Sequence, residues 1–174
     1  TAELRQVLDT DDALVRAMPQ QAVQERRSVT VTCPSHPDVD ALFDYLGGVL
    51  PVADEGVFDV FCALTATVST HFAYLATVVA WAERQGIPSE DADHFIRNLF
   101  QGVGRQLGDE TRSLPQLRAE HETPKGANER IRITWFESAS AALGKALDEL
   151  LVGLEANRLG LDGYCDGLAV DPEL

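Results

Sequence analysis

The chain has 174 residues, 45% of them hydrophobic and 24% charged, and 28 acidic against 14 basic side chains give it a formal net charge of −14 at pH 7. That length suits one ordinary domain or one and a half small ones, and the mixture is that of a folded globular chain. The acidity disfavours a phosphate-tracking surface, which needs clustered Lys and Arg, and it repels an anionic membrane face, so neither nucleic acid nor membrane is expected as a partner.

No uninterrupted apolar run approaches the ~20 residues of a membrane helix. The best candidate, Phe72 to Ala82, ends in Glu83-Arg84. Cys33, Cys62 and Cys165 are far apart, odd in number and form no CxxC. That pattern fits reduced thiols in a cytoplasmic protein better than a disulfide framework or a zinc site. His36, His71, His94 and His121 lie in different segments without HxxxH spacing, so a metal site would need long-range assembly and no metal-ligating residue is assigned.

In chain order, Ala2 to Leu8 suits a short helix and Ala13 to Ala17 a strand. Ser28 to Cys33 alternates with period two and is rich in β-branched residues, as a strand covered on one face would be. Pro34 and Pro37 stop it; Val39 to Leu46 then reads as a helix closed by Gly47-Gly48, and Val49 to Ala53 as another strand. Beyond Asp54 strand signals vanish. Val57 to Gln85 is one long helix, ended by Gly86-Ile87-Pro88, and Ser89 is placed to cap the next, which repeats Ala92, Phe95, Ile96, Leu99, Phe100, Val103 and Leu107 near every 3.6 residues. Leu114 to His121 suits a short helix, Thr123 to Ala127 a loop, and a last long helix presents Trp135, Phe136, Ala139, Leu143, Ala146, Leu147, Leu150 and Leu154 on one broad apolar face. The tail after Asn157 is Gly-rich and acidic.

The fold class is therefore mixed. Residues 1–54 read as a partial α/β, Rossmann-like remnant with too few strands to bury a core alone. Residues 55–174 read as an all-α domain. The long amphipathic helices exceed what a lone domain of this size needs, which predicts a homodimer through the C-terminal helices. No GxGxxG occurs, because Gly102-Val103-Gly104 follows no strand.

The order and spacing of several short motifs resemble the pyrroline-5-carboxylate reductase family over most of the chain. Val15 to Pro19 matches the family's "RxMPN" turn, with Gln20 for the usual Asn. Ala63 to Thr67 lies where the family has "ALSGS", Gly86-Ile87-Pro88 matches "GLP", and Leu117-Arg118 followed by Thr123-Pro124-Lys125-Gly126 matches "LR…SPGG". The resemblance implies hydride transfer from NADPH or NADH (cofactor NADP or NAD) to a cyclic imino acid of the proline-biosynthesis type, with most cofactor contacts made by residues absent from this chain. It implies that Met18, Pro19 and Gln20 border the cofactor. It also implies that Thr123, Lys125, Gly126, Ala127 and Asn128 hold the substrate carboxylate at a helix N-terminus, with Asn128 beside the ring nitrogen.

Two departures bear on this. Asn128 replaces a threonine, so it lacks the hydroxyl, and it is equally suited to cap the helix. The Gly-rich run becomes Thr65-Ala66-Thr67-Val68-Ser69-Thr70-His71, a polar cluster in an apolar helix. There Thr67 is a candidate pocket wall and His71 a candidate proton donor, while hydroxyls back-bonding to the preceding turn are the plainer alternative. A non-catalytic dimerisation or scaffold module derived from the same family is the rival function. A metal–carboxylate bundle is a weaker one, resting on the D-x-x-H spacing of Asp91 and His94.

Overall fold

A computed structural model describes residues 7–158. The expected helix over Ala2–Leu8 lies mostly outside them, and the tail beyond residue 158, with Cys165, lies wholly outside.

Three strands form one sheet in the order β1 (Arg16–Met18), β2 (Thr30–Cys33), β3 (Val49–Pro51), with β1–β2 antiparallel and β2–β3 parallel. The first strand starts three residues later and ends one residue later than the expected Ala13 to Ala17, and prolines fix both its ends. Arg16 pairs with Cys33, which Pro34 follows, and Met18 is followed by Pro19; neither proline can donate to a ladder. β2 is covered on both faces rather than one: all four of its residues are buried, because it is central and helices pack against it. Thr30 and Thr32 are fully buried. The Thr32 hydroxyl donates to Asp40 at 2.8 Å.

Helix α1 (Pro37–Tyr45) joins the two parallel strands and starts on a proline, whose missing N–H costs nothing in a first turn. The return to β3 passes through Gly47 at φ +131°. A Cβ there would lie 2.7 Å from the Arg26 carbonyl carbon and 2.9 Å from both Ser28 N and Ser28 O, so no other residue fits this crossing.

The expected single helix over Val57 to Gln85 is two, α2 (Glu55–Thr65) and α3 (Thr67–Arg84), parted by a turn at Ala66. The Thr65 hydroxyl donates to the Cys62 carbonyl at 2.7 Å, the competition with helical bonding that loosens such a turn. The nearly continuous span Glu55–Arg84 is long and apolar enough, by length and composition, to cross a membrane, which corrects the estimate based on Phe72 to Ala82. Within it, however, α2 packs inward. Phe58 joins Val31, Cys33 and Val52 in the core against which Met18, Phe61 and Cys62 pack.

The same helix buries a carboxylate. Asp59 is 2% exposed; its Oδ1 accepts from both terminal nitrogens of Arg16 at 3.4 Å, and its Oδ2 accepts from Arg158 Nε at 2.8 Å. Arg16 also reaches Glu55 at 3.2 Å and lays its guanidinium 4.3 Å from the Phe58 ring centre.

Helix α4 (Ser89–Leu107) follows Gly86-Ile87-Pro88. Its N-cap is Pro88 and Ser89 is already helical, with no side-chain cap. Proline holds the extended entry that a cap residue requires, which leaves the serine inside the first turn. Helix α5 (Leu114–His121) carries a reciprocal capping box between Ser113 and Gln116. After the loop come α6 (Ala127–Ile131), a π turn (Arg132–Phe136) and α7 (Glu137–Arg158), so the expected last helix starts earlier than Trp135 and is interrupted once. The Thr134 hydroxyl donates to the Arg130 carbonyl and that of Ser138 to the Trp135 carbonyl, each at 2.7 Å, serving carbonyls beside the widened turn.

The described chain forms two compact units, residues 7–65 with 147–158, and residues 66–146. The first holds the sheet, α1, α2 and the end of α7. The second holds α3 to α6 and the π turn.

Candidate functional site

In the sheet unit, Met18 is half-buried against the core, Pro19 is exposed and Gln20 half-buried. Gln20 is the extended residue before a 3₁₀ turn (Gln21–Glu25), and its carbonyl accepts from Val23 N–H at 3.0 Å. Since β1 runs against β2, these three residues leave at the carboxyl end of β1 beside the amino end of the parallel pair. They offer apolar and backbone surface but no phosphate cradle. The turn is five residues long without a side-chain cap, and Arg26, at φ +54°, commits its guanidinium to the Tyr45 ring at 4.2 Å. The residues of this turn supply no phosphate site for a dinucleotide.

In the helical unit, Thr67 is the half-buried first residue of α3. The hydroxyl of neighbouring Ser69 back-bonds to the Ala66 carbonyl at 3.4 Å, and Thr65 does the same one turn earlier, the plainer of the two alternatives for those side chains. His71 is exposed. Its ring lies edge-on to Phe100 at 5.9 Å and tilted to Phe72 at 6.1 Å. It opens onto a cavity of about 570 Å³ between α3 and α4, whose lining includes Phe72, Leu75, Ile96 and Phe100, with Asp93 and Arg97 among the polar residues. Arg97 donates to Asp93 at 2.5 Å and holds that carboxyl below its ordinary value. The pair engages Asp93, not the Asp91 of the D-x-x-H spacing, and among the described residues no group of three or more His, Cys, Asp or Glu side chains gathers in a metal-binding arrangement.

From His71 a chain of rings continues. Tyr74 meets Phe100 edge-on at 5.9 Å and stacks on Trp135 at 5.4 Å with planes 9° apart. Trp135 sits in the π turn, so this aromatic contact ties α3 to the helix that follows the candidate substrate loop. No described contact joins His71 to Asn128.

The Thr123–Asn128 loop is a tight turn closed by Gly126 N–H to the Thr123 carbonyl at 2.7 Å. Gly126, not Asn128, is the N-cap of α6. Asn128 stands in the first helical turn, where its backbone is already helical and its side chain cannot cap. Its amide instead donates to the His121 carbonyl at 2.7 Å, one of the carbonyls that the end of α5 leaves without a helical partner. Lys125 adopts the left-handed conformation at φ +64°, which turns its N–H inward. That N–H donates to Glu129 Oε2 at 2.5 Å.

Arg132 completes the frame by donating to Glu122 at 2.6 Å and to Glu137, and it lowers the Glu122 carboxyl below its usual range. Thr123, Pro124, Lys125 and Ala127 are exposed and Gly126 half-buried. Sequence reasoning singled out this loop but missed Glu129, the residue that fills it. An acid one residue beyond Asn128 was the available signal. It missed Asp59 too, although a lone acid in an apolar helix is itself a signal.

No protein-family profile matches the chain, and no curated protein matches it. Solved structures do. A pyrroline-5-carboxylate reductase of Coxiella burnetii superposes with a TM-score of 0.72 at 22% identity, covering 89% of this chain and 61% of that one. The pyrroline carboxylate reductase of Plasmodium falciparum, solved with NADP bound, gives 0.71 at 12% identity over 89% and 64%. That of Streptococcus pyogenes gives 0.66 at 19% over 80% and 57%. The chain therefore has the fold of this part of the reductases, as the motif order led us to expect, and it spans about three-fifths of their length.

Proposed function

We propose that the chain is the sheet end and helical domain of an NAD(P)H-dependent reductase of the pyrroline-5-carboxylate reductase type, acting in the cytoplasm on a cyclic carbon–nitrogen double bond. The observation that carries the reading is the likeness of fold over 89% of the chain. The free outer edge of β1, unpaired among the described residues, supports it, because a dinucleotide-binding half would extend the sheet there. In this reading that half supplies the nicotinamide, Met18 and Pro19 border it, and the Thr123–Asn128 loop faces the substrate. Full-length protein should oxidise NADPH in the presence of 1-pyrroline-5-carboxylate or 1-pyrroline. Absence of both turnover and NADPH binding refutes the reading.

The same proposal includes a homodimer through the helical unit. Phe72 is 65% exposed, Trp81 57%, Phe95 66% and Leu99 50%, more large apolar surface than water tolerates on two neighbouring helices. Light scattering on a sizing column should give twice the monomer mass, and a monomer at micromolar concentration counts against it.

One specific observation favours a non-catalytic dimerisation module instead. The Asn128 amide, the Lys125 N–H and the Arg132 guanidinium are all committed to groups of the chain itself. Under that reading the dimer persists and NADPH is neither bound nor oxidised.

A further inference from the structure

In the reductase reading the Thr123–Asn128 loop meets the substrate, and an anion bound there would need backbone N–H groups at the start of a helix. The geometry of this loop is already answered from within. Lys125 is left-handed, a conformation that residues bearing a side chain rarely adopt. The conformation directs its N–H onto the half-buried Glu129 carboxylate at 2.5 Å. A second carboxylate seeking that donor would find it taken and would face a like charge a few ångströms away.

The nearby arginines Arg132 and Arg118 face acids of the chain itself. Arg132 is held by Glu122 and Glu137, and Arg118 lies close enough to Glu122 to help lower its carboxyl. The Lys125 ammonium rides on an exposed side chain, where water screens it. The Asn128 amide N–H points away to the His121 carbonyl. What the loop offers a visitor is therefore a fixed negative charge with acceptor oxygen.

We propose that Glu129 is a specificity-determining residue that keeps carboxylates out of the Thr123–Asn128 loop, so that the loop receives the uncharged or cationic, N–H-bearing part of a cyclic imine or amine. This rests on the reading of the loop as substrate-facing, and its test does not depend on turnover.

The probes are L-proline and pyrrolidine, the same ring with and without a carboxylate, titrated into the full-length protein while the Lys125 amide resonance is followed. In the wild-type protein pyrrolidine should shift that resonance at least tenfold more tightly than proline. Glu129→Ala, which empties the donor, should tighten proline at least tenfold and weaken pyrrolidine. Glu129→Gln, which keeps an acceptor on Lys125 N–H but removes the charge, should fall between and guards against a loop that collapses in the alanine variant. Proline binding wild type at the Lys125 amide as tightly as it binds Glu129→Ala overturns the proposal, and so does neither probe moving that amide in any of the three proteins. NADPH oxidation with 1-pyrroline and 1-pyrroline-5-carboxylate is run alongside. No oxidation with a normal amide titration sinks the reductase reading and leaves the loop's preference standing, whereas oxidation with a preference for the acid sinks the preference alone.

Discussion

Replacing Asp59 by asparagine should cost about 2–3 kcal/mol of folding free energy. The side chain of Asp59 is 3% exposed, and it neutralises two guanidiniums that stand far apart in sequence, Arg16 at the start of β1 and Arg158 at the end of α7. Removing one partner of a buried ion pair typically costs about 3–5 kcal/mol, because the charge left behind is uncompensated. Here the arginine side chains remain 31% and 29% exposed, so water takes up part of that penalty, and Glu55 still holds Arg16. The lower figure follows, equivalent to a fall in Tm of roughly 4–12 °C for a chain of this size.

Urea denaturation followed by far-UV circular dichroism at fixed protein concentration measures it. Arg158→Met should cost less, and Asp59→Asn with Arg158→Met should show a coupling of at least about 1 kcal/mol. Hydrogen exchange should quicken first at the carboxyl end of α7. An Asp59→Asn protein within about 0.5 kcal/mol of wild type, which is the scatter of surface substitutions, would refute the buried network.

Other outcomes follow from single contacts. Tyr74→Leu and Trp135→Leu should be coupled by about 0.5–1.5 kcal/mol in a double-mutant cycle, the usual worth of an aromatic pair; additive losses would mean the stacked rings do not interact. Gly47→Ala should destabilise by more than 2 kcal/mol or prevent folding, since its Cβ would sit 2.7 Å from backbone at a φ that already disfavours side chains; a thermal midpoint unchanged from wild type would contradict it.

Asp40 accepts hydrogen bonds from Ser35 at 2.5 Å and from Thr32 at 2.8 Å, and these hold its carboxyl below the ordinary value of 3.8. Its contribution is therefore complete above that value and is lost as pH falls through the lower folded pKa. Carboxyl carbon titration should give a midpoint below 3.8 that rises in Ser35→Ala; a wild-type midpoint at or above 3.8 removes the basis for the claim.

Much of the fold was legible because it rests on local signals. β-Branched alternation found β2, the prolines bounded it, and Gly86-Ile87-Pro88 parted α3 from α4. What escaped is set by partners remote in sequence. β1 starts at Arg16 only because Pro34 lies across the ladder, and β2 is buried on both faces because helices cover it. At the candidate site the loop was legible from its proline, glycine and the helix behind it, but not the direction of its side chains. Asn128 looked like a cap because caps are commonly Asn, yet Gly126 arrives first and leaves the amide to bridge back to α5. Glu129 was invisible because its role needs the left-handed turn at Lys125, which nothing in the order of residues announces.

The π turn at Arg132–Phe136 also sets the phase of everything after it. A residue accommodated in a widened turn advances the helix by about 100° relative to an uninterrupted one, so the side chains of α7 point where they do by virtue of one amino acid in the turn just before it. Deleting a residue from this segment would restore regular bonding and leave the composition almost untouched, yet rotate the side chains at the start of α7 about a quarter-turn relative to those before the turn. A shortened chain would therefore have the more regular helix and would turn a different face of it outward.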